Sequence, residues 1–340
     1  MHMADALLSP AVGAAMWLAS AGGLAYSARR VRELGEDRLV PLMGVLGAFV
    51  FAAQMINFAI PGTGSSGHLG GGLLLAALLG PHAALIVIAS VLTVQALFFA
   101  DGGLLALGAN IFNLGVLPCF VAYPLVYRSI VGVGASRRRI TIGAVVAALV
   151  GLQLGALGVV LQTVGSGISS LPLSSFLLLM LPVHVPIGLV EGFATAAILL
   201  FIQRAQPDLV ATASGASPAG GSMKPLLASL AIAATVTAGA VSWFASKAPD
   251  GLEWSIEQVA ATAERPAPAT GVHAFLGRLQ ERMSFLPDDQ LPGRSAAAHE
   301  PAEPAWPQVD AGTSIAGLVG GTVTLLLVGL IAALLRRQRR

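Results

Sequence analysis

The sequence predicts an all-α polytopic membrane protein: a seven-helix module with its N-terminus outside, followed by a two-helix hairpin. Three observations predict it. Of the 340 residues, 55% are hydrophobic and 11% charged, against about 25% charged in a soluble domain, too few to cover a water-facing surface. Mean hydropathy is +0.79. The apolar residues fall in long runs, and basic residues gather between alternate runs. The single cysteine, Cys119, excludes an internal disulfide, a Cys-rich zinc site and an iron–sulfur cluster.

The runs fall at about 8–27, 39–60, 69–80, 82–100, 104–127, 140–164, 172–203, 225–246 and 313–335. Spanning the hydrocarbon takes roughly 20 helical residues. Run 69–80 is therefore either a shallow helix buried among its neighbours or a re-entrant piece. Counting it as a crossing places the basic loops on one side: Arg29/Arg30/Arg32/Arg38, Arg128/Arg137/Arg138/Arg139, Arg204/Lys224 and Arg336/Arg337/Arg339/Arg340, 14 of the 19 Lys and Arg residues. The other five share 247–312 with ten acidic residues. The positive-inside rule then gives nine passes in the inner (plasma) membrane, N-terminus outside and C-terminus cytoplasmic. The first basic residue is Arg29, after the first run, so no cleavable signal is expected. His2 is too large for methionine removal, and Met1 is expected to keep a free α-amine.

Three units follow along the chain. Residues 1–204 hold the seven-pass module. Residues 205–224, rich in Pro, Gly, Ser and Ala, read as a cytoplasmic linker. Residues 225–340 form a hairpin whose extracytoplasmic loop, 247–312, is Pro-rich and expected to be irregular in its middle.

The chain opens MHMADALLSP. A free amine, the deprotonated His2 amide and His2 Nδ1 close two fused chelate rings, three nitrogens in a plane. A fourth in-plane nitrogen completes a square, which favours Ni(II) or Cu(II) over zinc or magnesium. His68, in GTGSSGHLGGG on the same side, is the candidate. Its glycines allow close backbone approach. Binding releases protons and should fall in acid.

MHMADALLSP resembles the N-terminal signature of the M components of nickel and cobalt energy-coupling-factor transporters. GTGSSGHLGGG, LGANIFNLGVLPC and HVPIGLVEGFAT resemble further blocks of that family in order, over about 1–204. The hairpin begins APDGLEWSIE, which resembles the PDGLE segment of the small N component, here fused. The resemblance implies that Met1, His2 and His68 bind the metal. It also implies partners: a coupling transmembrane subunit (T component) and cytoplasmic ATPases. Ni(II), alternatively Co(II), would be transported substrate, and no bound cofactor is expected. Ala4-Asp5-Ala6 departs from the usual Pro-Asp-Gly, leaving the turn geometry open.

Other polar groups in apolar runs need partners or functions. His184 and Glu191, seven apart on one helix face, could pair with the N-terminal segment, orient a ligand or face a partner helix, and a buried hydrogen-bond pair is expected ahead of metal contact. Gln95, Asn110 and Asn113 read as supporting donors behind the metal site or as interhelical glue. Asp101 reads as a solvated turn, His82 as a cap or partner contact, and His273 and His299 as solvated loop. Small residues at 143–158 suit close helix packing, internal or with a partner. An enzyme reading lacks its parts: no H-E-x-x-H, no G-x-S-x-G with a base and no phosphate loop are present. Nucleic acid is not an expected partner. An autonomous secondary transporter would show repeats that the seven-and-two organisation lacks.

Overall fold

Ser9 opens the first helix: its hydroxyl accepts from Val12 N–H and Pro10 follows, the ordinary start of an α-helix. In this computed structural model all residues are described except 36–38, 133, 170, 206–222, 261–269, 288–306, 308 and 339–340. Helix α1 (Pro10–Leu34) ends on Gly35 at φ 58°. Helix α2 (Leu39–Gln54) follows, and then the chain turns back as an antiparallel hairpin of β1 (Phe58–Ile60) and β2 (Ser65–Gly67). The apolar run 39–60 is thus divided, its last residues being a strand instead of helix.

Run 69–80 becomes α3 (Gly72–Leu79). Its eight residues rise only about 12 Å, well short of the hydrocarbon thickness, and all are buried. It is the shallow helix enclosed by its neighbours. Helices α4 (Pro81–Phe99), α5 (Leu107–Ile130), α6 (Arg137–Ser166) and α7 (Leu173–Ala205) are each long and apolar enough to cross a membrane. Pro118 and Pro124 lie within α5, whose turns are wider than α-helical, as expected where a backbone donor is missing. His82, second in α4, packs against α1, with Nδ1 3.4 Å from Ser27 Oγ and its ring edge-on to Tyr26.

The small residues of α6 line its contact with α5 and α7. A Cβ on Gly192 of α7 would press on Val145 Cα at 2.5 Å, so the stripe serves internal packing. The outer faces carry exposed Leu18, Leu178 and Leu326, suited to lipid.

After the linker, α8 (Lys224–Gly239) and the long apolar α11 (Ala311–Arg337) dock on α2. Here Gly320 meets the Phe51 ring, where any Cβ would clash. The loop between them is not simply irregular. It holds α9 (Gly251–Ala260) and the amphipathic α10 (Gly271–Met283). His273, expected in solvent, is buried on α10, its Nε2 donating to Leu8 carbonyl at 2.8 Å. Val272, Phe275, Leu276 and Leu279 repeat at helical spacing here, and one edge of that helix covers the N-terminal segment. His299, the linker and most of the Pro-rich middle lie outside the described residues.

Candidate metal centre

Three pieces of chain meet at one end of the bundle: residues 1–8, the segment from β2 to α3, and the turn that begins α9. A chain end is ordinarily frayed, but this one is fastened. Met3 N–H donates to Asn110 Oδ1 at 2.8 Å, while Asn110 Nδ2 and Gly103 N–H donate to Met3 carbonyl at 3.2 and 3.0 Å. Asp5 begins a single helical turn, Asp5–Leu7, and its carboxylate accepts from Ala106 N–H at 3.0 Å. That pin holds the turn without the Pro-Asp-Gly sequence. Met1 and Met3 are both buried.

This places the α-amine 3.2 Å from His68 Nε2. His68 Nδ1 donates to Leu69 carbonyl at 3.1 Å, which leaves Nε2 with a lone pair facing the amine. Burial, reinforced by the positive terminus, drives the His68 pKa from 6.5 down to about 3, so the ring stays neutral and able to ligate. The His2 ring stacks on it, with centroids 4.9 Å apart and planes within 7°.

His2 Nδ1 lies 3.0 Å from Asp101 Oδ1, and its Nε2 has no partner among the described residues. Asp101 is therefore not merely a solvated turn; it holds the histidine. Ala100, at φ 57°, turns the chain to bring it there, a conformation unusual for a residue with a Cβ. Using His2 Nδ1 as a ligand would require it to give up Asp101. Among the described residues no three His, Cys, Asp or Glu side chains are grouped to hold a metal ion.

The third piece is PDGLE, residues 249–253. Pro249 carbonyl accepts from Ser66 N–H at 2.8 Å, and Ala248 carbonyl from Ser66 Oγ at 2.7 Å. Asp250 Oδ1 accepts from the N–H groups of Leu252 and Glu253, while Glu253 Oε2 accepts from Asp250 N–H at 3.1 Å. This is a capping box, in which residues three apart satisfy each other's helix-end donors. The other oxygen, Asp250 Oδ2, takes the Met1 ammonium at 2.5 Å. Burial opposes ionisation of Asp250, and the ammonium outweighs it, holding the carboxyl well below the usual range. Gly251 sits where a Cβ would meet His184 Cε1 at 3.0 Å. Sequence reasoning missed Asp250; the D-x-x-E spacing was the available signal.

His184 and Glu191 do not pair. His184 Nδ1 donates to Met180 carbonyl at 2.7 Å, and its ring faces a small cavity shared with Met1, His68, Gly70 and Asp250. Glu191 accepts from Gly70 and Gly71 N–H, each at 3.1 Å. Glu191 therefore anchors the loop that carries His68, while His184 lines the cavity beside it. Gln95 donates to Gln54 Oε1 at 2.9 Å, and Gln54 to Gly70 carbonyl at 2.8 Å, fixing that loop from the other side. Asn113 and Gln162 exchange two hydrogen bonds, at 2.8 and 3.0 Å, behind Met3.

Residues 2–209 match the family described as the cobalt uptake substrate-specific transmembrane region, CbiM. The chain belongs to the CbiM family. Residues 224–337 match the PDGLE domain, so a CbiM-type unit is here fused to an N-type component. Among its relatives, a putative fused nickel transport protein NikMN of Archaeoglobus fulgidus is 34% identical and matches over 96% of both chains. A fused nickel transport protein NikMN of Rhodobacter capsulatus is 35% identical over 62% of this chain and 64% of its own length. A crystal structure of a transition metal transporter superposes with TM-score 0.54 at 30% identity, over 63% of this chain and 98% of that one. The CbiM-type unit carries Met1, His2 and His68; the PDGLE domain contributes Asp250 to the same place.

Proposed function

We propose that this protein is the metal-capturing subunit of an ATP-driven nickel importer of the energy-coupling-factor type. Ni(II) would be held by the Met1 amine, the His2 amide and Nδ1, and His68 Nε2. The observation that carries the reading is the buried approach of the α-amine to the lone pair of His68 under the His2 ring. Planar nitrogen ligation favours nickel. Cobalt is the second reading, favoured by the description of the family. Residues 1–204 would be the transport module and 225–340 the accessory domain, with the N-terminus outside in the inner membrane. Energy would come from cytoplasmic ATPases through a coupling transmembrane subunit, because the sequence has no phosphate loop of its own. An autonomous secondary transporter would instead carry nickel without such partners.

The test is nickel and cobalt content with a visible spectrum, on full-length protein with an unmodified N-terminus. Beside it stand His68→Ala and a variant with one residue inserted between Met1 and His2. The reading expects about one diamagnetic Ni(II) per chain, altered or lost in both variants. Equal binding in all three would refute it.

A further inference from the structure

The amphipathic helix α10 commits one face to the bundle. His273 Nε2 donates to Leu8 carbonyl at 2.8 Å, two residues before α1 begins at Pro10. Gln280 Nε2 donates to the carbonyls of Ala96 and Gly102 at 2.8 and 2.7 Å, and Leu286 N–H, just past the helix, to Phe98 carbonyl at 3.2 Å. Ala96 and Phe98 belong to the last turn of α4, which ends at Phe99. The two anchors, His273 and Gln280, lie about 10 Å apart along the helix axis. Helix α1 packs directly on α4, and packed helices stand about 8–10 Å apart. Helix α10 therefore bridges the ends of two neighbours, its axis across theirs. Because α4 is long and apolar enough to cross a membrane, a helix laid across its last turn lies at the boundary between bilayer and water, in the membrane plane.

The face beside the anchors is apolar and uncovered. Val272, Phe275 and Leu279, spaced by three and four, form one stripe and are 47%, 61% and 39% exposed. Phe285, 44% exposed, carries the stripe past the helix, its ring centroid 5.4 Å from that of Phe98 and 6.2 Å from that of Phe99. The stripe thus joins the end of a membrane-crossing helix. The opposite edge holds exposed Arg278, Glu281 and Arg282. Three and seven residues after Phe275, the two arginines border the stripe; their long stems can lie along it while the guanidinium groups meet phosphate. Trp243 marks the same end of the bundle, its Nε1 donating to Ser314 Oγ at 2.7 Å between the ends of α8 and α11. Aromatic side chains gather at this depth of a membrane protein.

We propose that α10 is an interfacial helix of the bilayer at this end of the bundle. Val272, Phe275, Leu279 and Phe285 enter the boundary between headgroups and acyl chains, by about 5–10 Å. Lipid is the occupant because the stripe continues onto the end of α4 and its basic border complements lipid phosphate. The anchored face of the same helix, through His273, Gly277 and Gln280, walls the cleft that opens beside His2, so the bilayer seats that wall. The inference needs α4 to cross a membrane and does not need the nickel ligands proposed above.

The test uses full-length protein in phosphatidylcholine nanodiscs, with bimane on one added cysteine; the native Cys119 is buried. Phe275→Cys and Leu279→Cys place the label on the stripe, and Glu281→Cys on the opposite edge. All three positions are exposed, so the label displaces no packed side chain. Lipid carrying a nitroxide near the headgroup end of an acyl chain should quench labels at 275 and 279 severalfold more than at 281. Aqueous iodide should show the reverse order. In unlabelled protein, Phe275→Asp should speed deuterium exchange of the α10 backbone, and Phe275→Trp should leave it slow. Iodide quenching equal at all three positions, with no effect of nitroxide lipid, overturns the proposal: the stripe then faces water. Labels at 275 and 279 shielded from both quenchers also overturn it, and mean that protein, such as a second copy of the chain, covers the stripe. Either result is read whether or not the protein binds nickel.

Discussion

Asn110→Ala is the sharpest probe of how the chain end becomes a ligand. Asn110 is 2% exposed and clamps Met3 in both directions. Met3 carbonyl would keep Gly103 N–H as a partner, but Met3 N–H would lose the one acceptor it has among the described contacts. Leaving a buried donor unsatisfied costs about 1–3 kcal/mol. Met3 is one residue from the amide proposed to chelate, so that cost would fall on the conformation that presents amine and amide to a metal. If it falls wholly there, nickel affinity drops by about 5- to 150-fold. Asn113→Ala is the control: its main partner is the Gln162 side chain and not the N-terminal backbone, so nickel affinity should change less than about threefold. Nickel titration by equilibrium dialysis, with thermal melting to establish folding, reads both. Folded Asn110→Ala protein with the parent affinity would refute the idea that this clamp forms the site.

Other outcomes follow from the same contacts. Two protons leave when the ammonium and the His2 amide become ligands, so log affinity should rise with pH at a slope of about two. His68 is neutral down to about pH 3 and should release no proton of its own; measured above the ordinary imidazole pKa of about 6.5, a slope near one would contradict the loss of both protons. In the metal-free protein the sign is also fixed. Its folded pKa lies below the ordinary 6.5, so the stability linked to neutral His68 is complete above pH 6.5 and falls as pH drops toward 3, measurable as an acid shift in melting. Gly251→Ala puts a Cβ 3.0 Å from His184 and 3.2 Å from Ile187 and Val183. It should cost about 1–3 kcal/mol and loosen the PDGLE turn, seen as faster proteolysis within 247–287; unchanged protection would contradict the packing. Glu191→Gln turns an amide N–H₂ toward one of the two glycine N–H groups it now accepts from, and nickel affinity should fall roughly tenfold. Unchanged affinity would mean the metal loop does not depend on Glu191.

The helices were legible because hydropathy is local. Run 82–100 became Pro81–Phe99, and 313–335 became Ala311–Arg337. Run 39–60 was overextended because Phe58–Ile60 is as apolar as a helix end but pairs with Ser65–Gly67. Met1 and His2 could be proposed together because a chelating N-terminus would be a property of two adjacent residues, and the structure brings His68 Nε2 to 3.2 Å from that amine. Asp250 could not, since its ion pair joins residues 249 apart. Asp101 was misread for the same reason: nothing near it in sequence shows that a strained alanine aims it at His2. His184 and Glu191 share a helix face, yet each finds a backbone partner instead. His273 was hidden by its Pro-rich surroundings, although the spacing of Val272, Leu276 and Leu279 already described a helix.

X-ray absorption at the nickel edge of the loaded full-length protein tests the central claim most directly. The account predicts four nitrogen donors in a plane, two of them imidazoles, with one imidazole lost in His68→Ala. Six-coordinate nickel bound mainly through oxygen, or the same spectrum after His68→Ala, would contradict it.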